Sequence, residues 1–145
     1  MVPFWSVFIY SPTPFPYPLQ RTINSQGGTI WSMASNPASS LIALGCDDGV
    51  IRIVSLSDNS LEHHRRLDRA KARILSIAWG PASPSPSNDD ECDDDLEWAD
   101  SWIVAGCSDS CLRKFDFSTG RAVERMTVDK LKSHRTLIWS VACLR

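Results

Sequence analysis

The first twenty residues of this 145-residue chain, MVPFWSVFIYSPTPFPYPLQ, contain no lysine or arginine, and prolines break the apolar stretch from Pro12 onward. Both features argue against an export signal, which needs a basic segment ahead of an unbroken apolar core and a small-residue cleavage site. No run reaches the roughly 20 apolar residues of a membrane-crossing helix, so no membrane role is expected. The cysteines are odd in number and irregularly spaced (Cys46, Cys92, Cys107, Cys111 and Cys143), which makes no disulfide framework. Reduced thiols of a cytosolic or nuclear protein are the expectation. Catalytic signatures are missing as well. Serine, histidine and aspartate are present, but without a nucleophile elbow or a phosphate-cradling glycine loop. Cys107 and Cys111 lack the Cys or His partners of a zinc site. His63-His64 falls in an expected outer strand, one ring facing in and the other out. The chain therefore reads as neither an enzyme nor a cofactor or metal binder.

What is present in quantity is unevenly placed charge. The net charge is −2, yet Asp89, Asp90, Glu91, Asp93, Asp94, Asp95, Glu97 and Asp100 form an acidic run with no basic residue inside it. Outside that run fifteen basic side chains face nine acidic ones, a surplus of +6. Hydrophobic residues make up 43% of the chain, enough for one ordinary core.

The remaining sequence repeats itself. Ile30-Trp31-Ser32-Met33-Ala34 matches Ile74-Leu75-Ser76-Ile77-Ala78 and again Ile138-Trp139-Ser140-Val141-Ala142. Leu41 to Cys46 matches Trp102 to Cys107, and GCDDGVIRIVSLSD (45–58) is echoed by GCSDSCLRKFDFSTG (106–120). The offset grows from 44 to 61 between the first and second strands, so the second copy carries 17 extra residues there. These coincide with a Pro/Ser stretch and the acidic run, about 84–100, too polar to bury and therefore expected as a disordered insertion. Short apolar runs alternate with turn residues, predicting strands near 29–34, 41–46, 50–55 and 61–67, then 74–79, 102–107, 111–117 and 121–128, with a ninth near 137–143. Four short strands in about 44 residues make a β-propeller blade. The fold class expected is all-β: a partial propeller of two blades plus one strand of a third over 26–145, preceded by an irregular Pro/aromatic lead-in over 1–25. Trp31, Trp79, Trp102 and Trp139 are expected to serve as core or blade-interface packing.

The two turn segments resemble WD repeats, a WD40-type propeller family. Asp48 and Asp109 take the turn aspartate position, Gly49 follows it in the first copy, and Phe115-Asp116 stands where the family has Trp-Asp. Val54-Ser55 replaces Trp-Asp in the first copy, and the Gly-His pair before each first strand is absent. GGTIWSMASNP, GCDDGVIRIV, LDRAKARILSIAWGP and VDKLKSHRTLIWSV, in that order, resemble more closely the N-terminal propeller of the cirhin family. That resemblance covers about 26–145. It implies a non-catalytic scaffold of the nucleolar small-subunit processome, acting in ribosome biogenesis and pre-rRNA processing. It also implies other processome proteins as partners. The count of nine strands, two blades and the first strand of a third, makes a truncated form that needs its remaining blades or a partner the expectation. A generic WD interaction adaptor without an RNA role stays open beside it.

The basic linkers are the candidate contact surface. Arg65, Arg66, Arg69, Lys71 and Arg73 surround one blade-to-blade connection, and Lys130, Lys132, His134 and Arg135 surround the next. In a propeller these connections emerge on one face, whereas the acidic insertion emerges on the other. A basic rim attracts RNA phosphate or an acidic partner segment, and pre-rRNA is the nucleic acid implied; ordinary solvated loops are the plain alternative. Limited proteolysis is expected to cut between Pro84 and Asp100 before it cuts either flanking strand. Protection of that stretch in the free protein, read by mass spectrometry, would show that it packs on the blades.

Overall fold

The computed structural model describes residues 6–11, 19–37, 40–57, 60–80, 101–128 and 136–143. Among them every regular element is a strand. The first pair, β1 (Ser6–Ser11) and β2 (Leu19–Asn24), forms an antiparallel hairpin. Residues 1–25 are therefore not wholly irregular. Pro12, Pro14, Pro16 and Pro18 lie in sequence between the two strands, outside the described residues.

Two four-stranded antiparallel sheets follow. The first blade runs β3 (Ile30–Ser35), β4 (Leu41–Cys46), β5 (Ile51–Ser57) and β6 (Ser60–Arg66), and these strands are neighbours in chain order. The second runs β7 (Ile74–Trp79), β8 (Trp102–Cys107), β9 (Cys111–Asp116) and β10 (Ala122–Thr127) in the same order. The internal repeat is structural as well as sequential. Leu41 pairs with Ser55 and Ala43 with Ile53, as Trp102 pairs with Asp116 and Val104 with Lys114. A register shift falls between Ile30 and Ser32 in one blade and between Ile74 and Ser76 in the other. The chain is thus an all-β partial propeller of WD40 type. The acidic insertion at 84–100 lies outside the described residues.

Strand alternation puts one set of apolar side chains on each face, and the facing sets merge into one core. Ala43, Ile51 and Ile53 of the first blade join Ile77, Trp79, Ile103, Ala105 and Phe115 of the second, all buried. Each Ile or Phe so covered contributes about 1.5–3 kcal/mol. The opposite face of the first blade buries Leu44, Cys46 and Val54, with Ile23 of the hairpin packed against them.

The ninth strand expected near 137–143 joins no sheet, although residues 136–143 lie in its place. Ser76 Oγ donates to Ile138 O at 3.2 Å, just as Ser32 Oγ donates to Ile74 O at 3.5 Å. An inner strand earns its ladder from the second strand of its own blade, and the described residues supply none for this segment.

The β4–β5 turn depends on Gly49, whose φ is +79°. A Cβ there would sit 1.9 Å from the Ala70 carbonyl oxygen, on the connection leading to the second blade. Gly28 has a similar φ of +77°, but a Cβ there would meet nothing closer than 3.6 Å. Gly28→Ala is expected to cost only the left-handed penalty of about 1–2 kcal/mol. Gly49→Ala should cost clearly more, because the connection must also move. Urea unfolding of the two variants checks this, and equal costs would remove the close approach from the argument.

Candidate interaction face

The site is built on the two tight turns. In each blade the turn aspartate reaches the arginine four residues on, so that Arg52 Nη1 and Nη2 donate to Asp48 at 3.0 and 2.8 Å. Arg113 repeats the arrangement with Asp109 at 2.8 and 2.6 Å. The guanidinium groups are deeply placed, Arg52 being 3% and Arg113 8% exposed. These two arginines were not among the residues singled out from the sequence, although Asp-x-x-x-Arg occurs in both copies and was the available signal. They supply what the missing Gly-His and Trp-Asp pairs do not: a buried polar partner for the turn aspartate. Phe115 is fully buried in the core, and Asp116 instead organises the β9–β10 turn by accepting from Ser118 N and Oγ and from Thr119 Oγ1.

The pairing sets the ionisation of the carboxyls. Arg113 holds Asp109 below the usual carboxylate range against the opposing pull of burial. Burial pulls Asp48 up, yet the Arg52 and Val50 N–H bonds outweigh it and hold that carboxyl low too. The thiols of Cys46 and Cys107 are pushed up by burial, and Cys46, Cys107, Cys111 and Cys143 are all free.

The connection between the blades lies against the first of these turns. Ala70 N donates to Gly49 O, and Arg69 Nε donates to Asp48 O at 3.0 Å. Arg73 Nε meets Asp47 Oδ1 at 2.8 Å, with its guanidinium 5.8 Å from the Trp31 ring centroid. Trp31 Nε1 donates to the same Asp47 oxygen at 3.0 Å. Both partners of the Arg73–Asp47 pair are exposed, so its worth is about 0–1 kcal/mol and mainly orientational. Asp47, Asp48, Arg69, Lys71, Arg73 and Ser108 line an open depression of about 540 Å³. The structure thus gathers Arg69, Lys71 and Arg73 on one surface, with Asp47 among them.

Other expected residues are placed differently. Arg65 does not join the rim: its guanidinium donates to the Phe117 and Ser118 carbonyls and lies over the Phe117 ring, tying the first blade to the β9–β10 turn of the second. Arg66 donates to Gln26 Oε1 at 2.8 Å. Lys130, Lys132 and Arg135 lie outside the described residues. His63 and His64 are both exposed, because a bulge pairs Val54 with His63 and Ile53 with Arg65 and so removes the simple alternation. Trp79 is buried, with Nε1 donating to Ala34 O, but Trp31 and Trp139 are 40% and 59% exposed and meet edge to face at 6.5 Å. Leu75, their equivalent in the second blade, is by contrast buried.

This placement suits binding by surface rather than reaction in a pocket, and comparison with known proteins indicates what kind. The chain is 30% identical over 130 residues to the human U3 small nucleolar RNA-associated protein 4 homolog, across 87% of its own length. It is 32% identical over 131 residues to U3 small nucleolar RNA-associated protein 4 of Saccharomyces cerevisiae and 34% over 127 residues to that of Schizosaccharomyces pombe. The chain is homologous to part of these proteins. It spans only 15–16% of their length. Cirhin is the human one, so the resemblance carried by the basic linkers leads to the same set. No family model matches the chain.

The depressed carboxyls make stability acid-sensitive in a defined direction. Their contribution is fully present above the unfolded aspartate pKa of about 3.9 and is lost as pH falls through the lower folded values. Asp48→Asn with Asp109→Asn should be less stable at pH 6 and lose less on acidification to pH 2.5, as measured by urea midpoints. Parallel pH profiles for the two proteins would show that these pairs do not govern the acid limb.

Proposed function

We propose that this chain is a non-catalytic WD-repeat scaffold element acting in nucleolar small-subunit processome assembly and pre-rRNA processing. The observation that carries the reading is similarity, over 84–87% of the chain, to proteins named for association with U3 small nucleolar RNA. The fold supports it, since repeated blades present surfaces and turns rather than an enclosed pocket. On this reading the partners are other processome proteins together with pre-rRNA, and the place of action is the nucleolus.

The contact surface proposed is the connection between the blades, with Arg69, Lys71 and Arg73, to which the sequence of the equivalent later linker adds Lys130, Lys132 and Arg135. Phosphate attraction there is long-range and salt-sensitive, which suits docking on a large RNA-containing particle. Asp47 moderates the field and favours a second reading, in which the same surface binds a protein segment of mixed charge and contacts no RNA.

Charge reversal at Arg69, Lys71, Arg73, Lys130 and Lys132 is the test, with deletion of 84–100 as the comparison. Reversal is expected to lower co-purification of U3 RNA and of the large particle by at least about fivefold, in line with the loss of several phosphate contacts. The deletion should leave both nearly unchanged. Loss of the particle only after ribonuclease treatment supports RNA contact, and equal association by the two variants removes the rim from the mechanism.

A further inference from the structure

The connection between the blades adjoins an aromatic surface. Trp31 in β3 and Trp139 at the equivalent position of residues 136–143 are both exposed, and their rings meet edge to face at 6.5 Å. β7 lies between the two segments, since Ser32 Oγ donates to Ile74 O on one side and Ser76 Oγ donates to Ile138 O on the other. The indoles therefore reach each other past Leu75, their buried equivalent. Every group in this arrangement belongs to the described residues.

The pair is held from the charged side. Asp47 accepts from Trp31 Nε1 at 3.0 Å, and the Arg73 guanidinium lies 5.8 Å from the centroid of the same ring. Asp47 and Arg73 also line the depression of about 540 Å³, so the aromatic and cationic surfaces are continuous. Trp31 is fixed by these neighbours, and through the edge-to-face contact it sets the tilt of Trp139. Among the described residues no cation lies over the Trp139 ring.

The charges beside the indoles do not cancel. Asp47 is engaged by Arg73, and Asp48 accepts two hydrogen bonds from the buried Arg52 guanidinium. Both carboxylates of the depression thus have cationic partners within the fold, and Arg69 and Lys71 stand exposed beyond them. The surplus is positive and calls for an anion. An acidic peptide or a duplex backbone would satisfy the cations and leave the indoles in water. A nucleotide carries a phosphate and a flat π-face together, which matches both halves of the surface. In a duplex the bases are stacked on one another and closed to an indole, whereas an unpaired strand offers them.

We propose that the Trp31–Trp139 pair and the connection bearing Arg69, Lys71 and Arg73 form one binding surface for unpaired RNA. A base stacks on the exposed Trp139 ring, Trp31 positions that ring, and the adjoining phosphates meet Arg69 and Lys71. This deepens the RNA reading of the connection proposed above and rests on it.

The test measures anisotropy of a labelled, unstructured RNA of about twelve nucleotides with the full chain, beside the same strand annealed to its complement and a polyglutamate peptide. Trp139→Ala changes an exposed residue outside both sheets, and it is expected to weaken binding of the unpaired strand at least about fivefold while leaving the duplex unchanged. Trp139→Phe, which keeps an aromatic face, should restore most of that loss. Lys71→Glu should weaken both RNAs, because phosphate attraction does not depend on pairing. The salt dependence should fall with Lys71→Glu and stay the same with Trp139→Ala. No loss with Trp139→Ala, an equal loss for strand and duplex, or a Phe variant as weak as the Ala one overturns the stacking surface and leaves the charged connection standing. Failure of the chain to bind either RNA, whether or not it binds polyglutamate, overturns this inference together with the RNA reading.

Discussion

Everything in this molecule depends on apolar contact between sheet faces. A four-stranded sheet has two sides, and the alternation of side chains along each strand places Ile51 and Ile53 on one and Arg52 and Val54 on the other. Neither side is stable in water alone. The first blade is covered on one side by the second blade and meets Ile23 of the hairpin on the other. Its inner strand, its turn glycine and its connection to the next blade are all placed by that need. Among the described residues the second blade is covered on one side by the first, and Met126 and Trp139 stand exposed.

Polar groups are subordinate to this packing but set its geometry. Each β-turn aspartate would be costly so near the core without a partner, and the arginine four residues on meets it through two parallel hydrogen bonds. Arg52 also donates to the Gln26 carbonyl, which ties the turn to the segment entering β3. Arg65 performs a related task between blades by donating to the Phe117 and Ser118 carbonyls. Arginines at first sight available for partners are thereby divided into those that hold the blades and those that face outward.

The outward group is small, and its character is mixed rather than simply basic. Arg69 leans on the Asp48 carbonyl and Arg73 on the Asp47 carboxylate, while Lys71 stands exposed beside them. Such a surface holds its cations in position before a partner arrives, which lowers the entropy lost on binding and narrows the geometry it accepts. It also limits the long-range field. If the face binds as proposed, its specificity rests on matching both signs of charge.

Much of the architecture was legible in the residues themselves. The repeat of Ile-Trp-Ser and Gly-Cys segments, the spacing of turn residues and the change of offset from 44 to 61 determine eight strands in two blades to within a residue or two. They do so because period-two alternation and turn chemistry are local properties. The hairpin escaped notice because prolines dominate its composition while standing outside its strands. The fate of individual side chains was decided elsewhere. A bulge in β6 turned both histidines outward, the neighbouring blade claimed Arg65, and the inner-strand position that buries Leu75 leaves Trp139 exposed. Each of those outcomes turns on how one sheet meets another, and that contact joins residues far apart in the chain, beyond the reach of any local pattern.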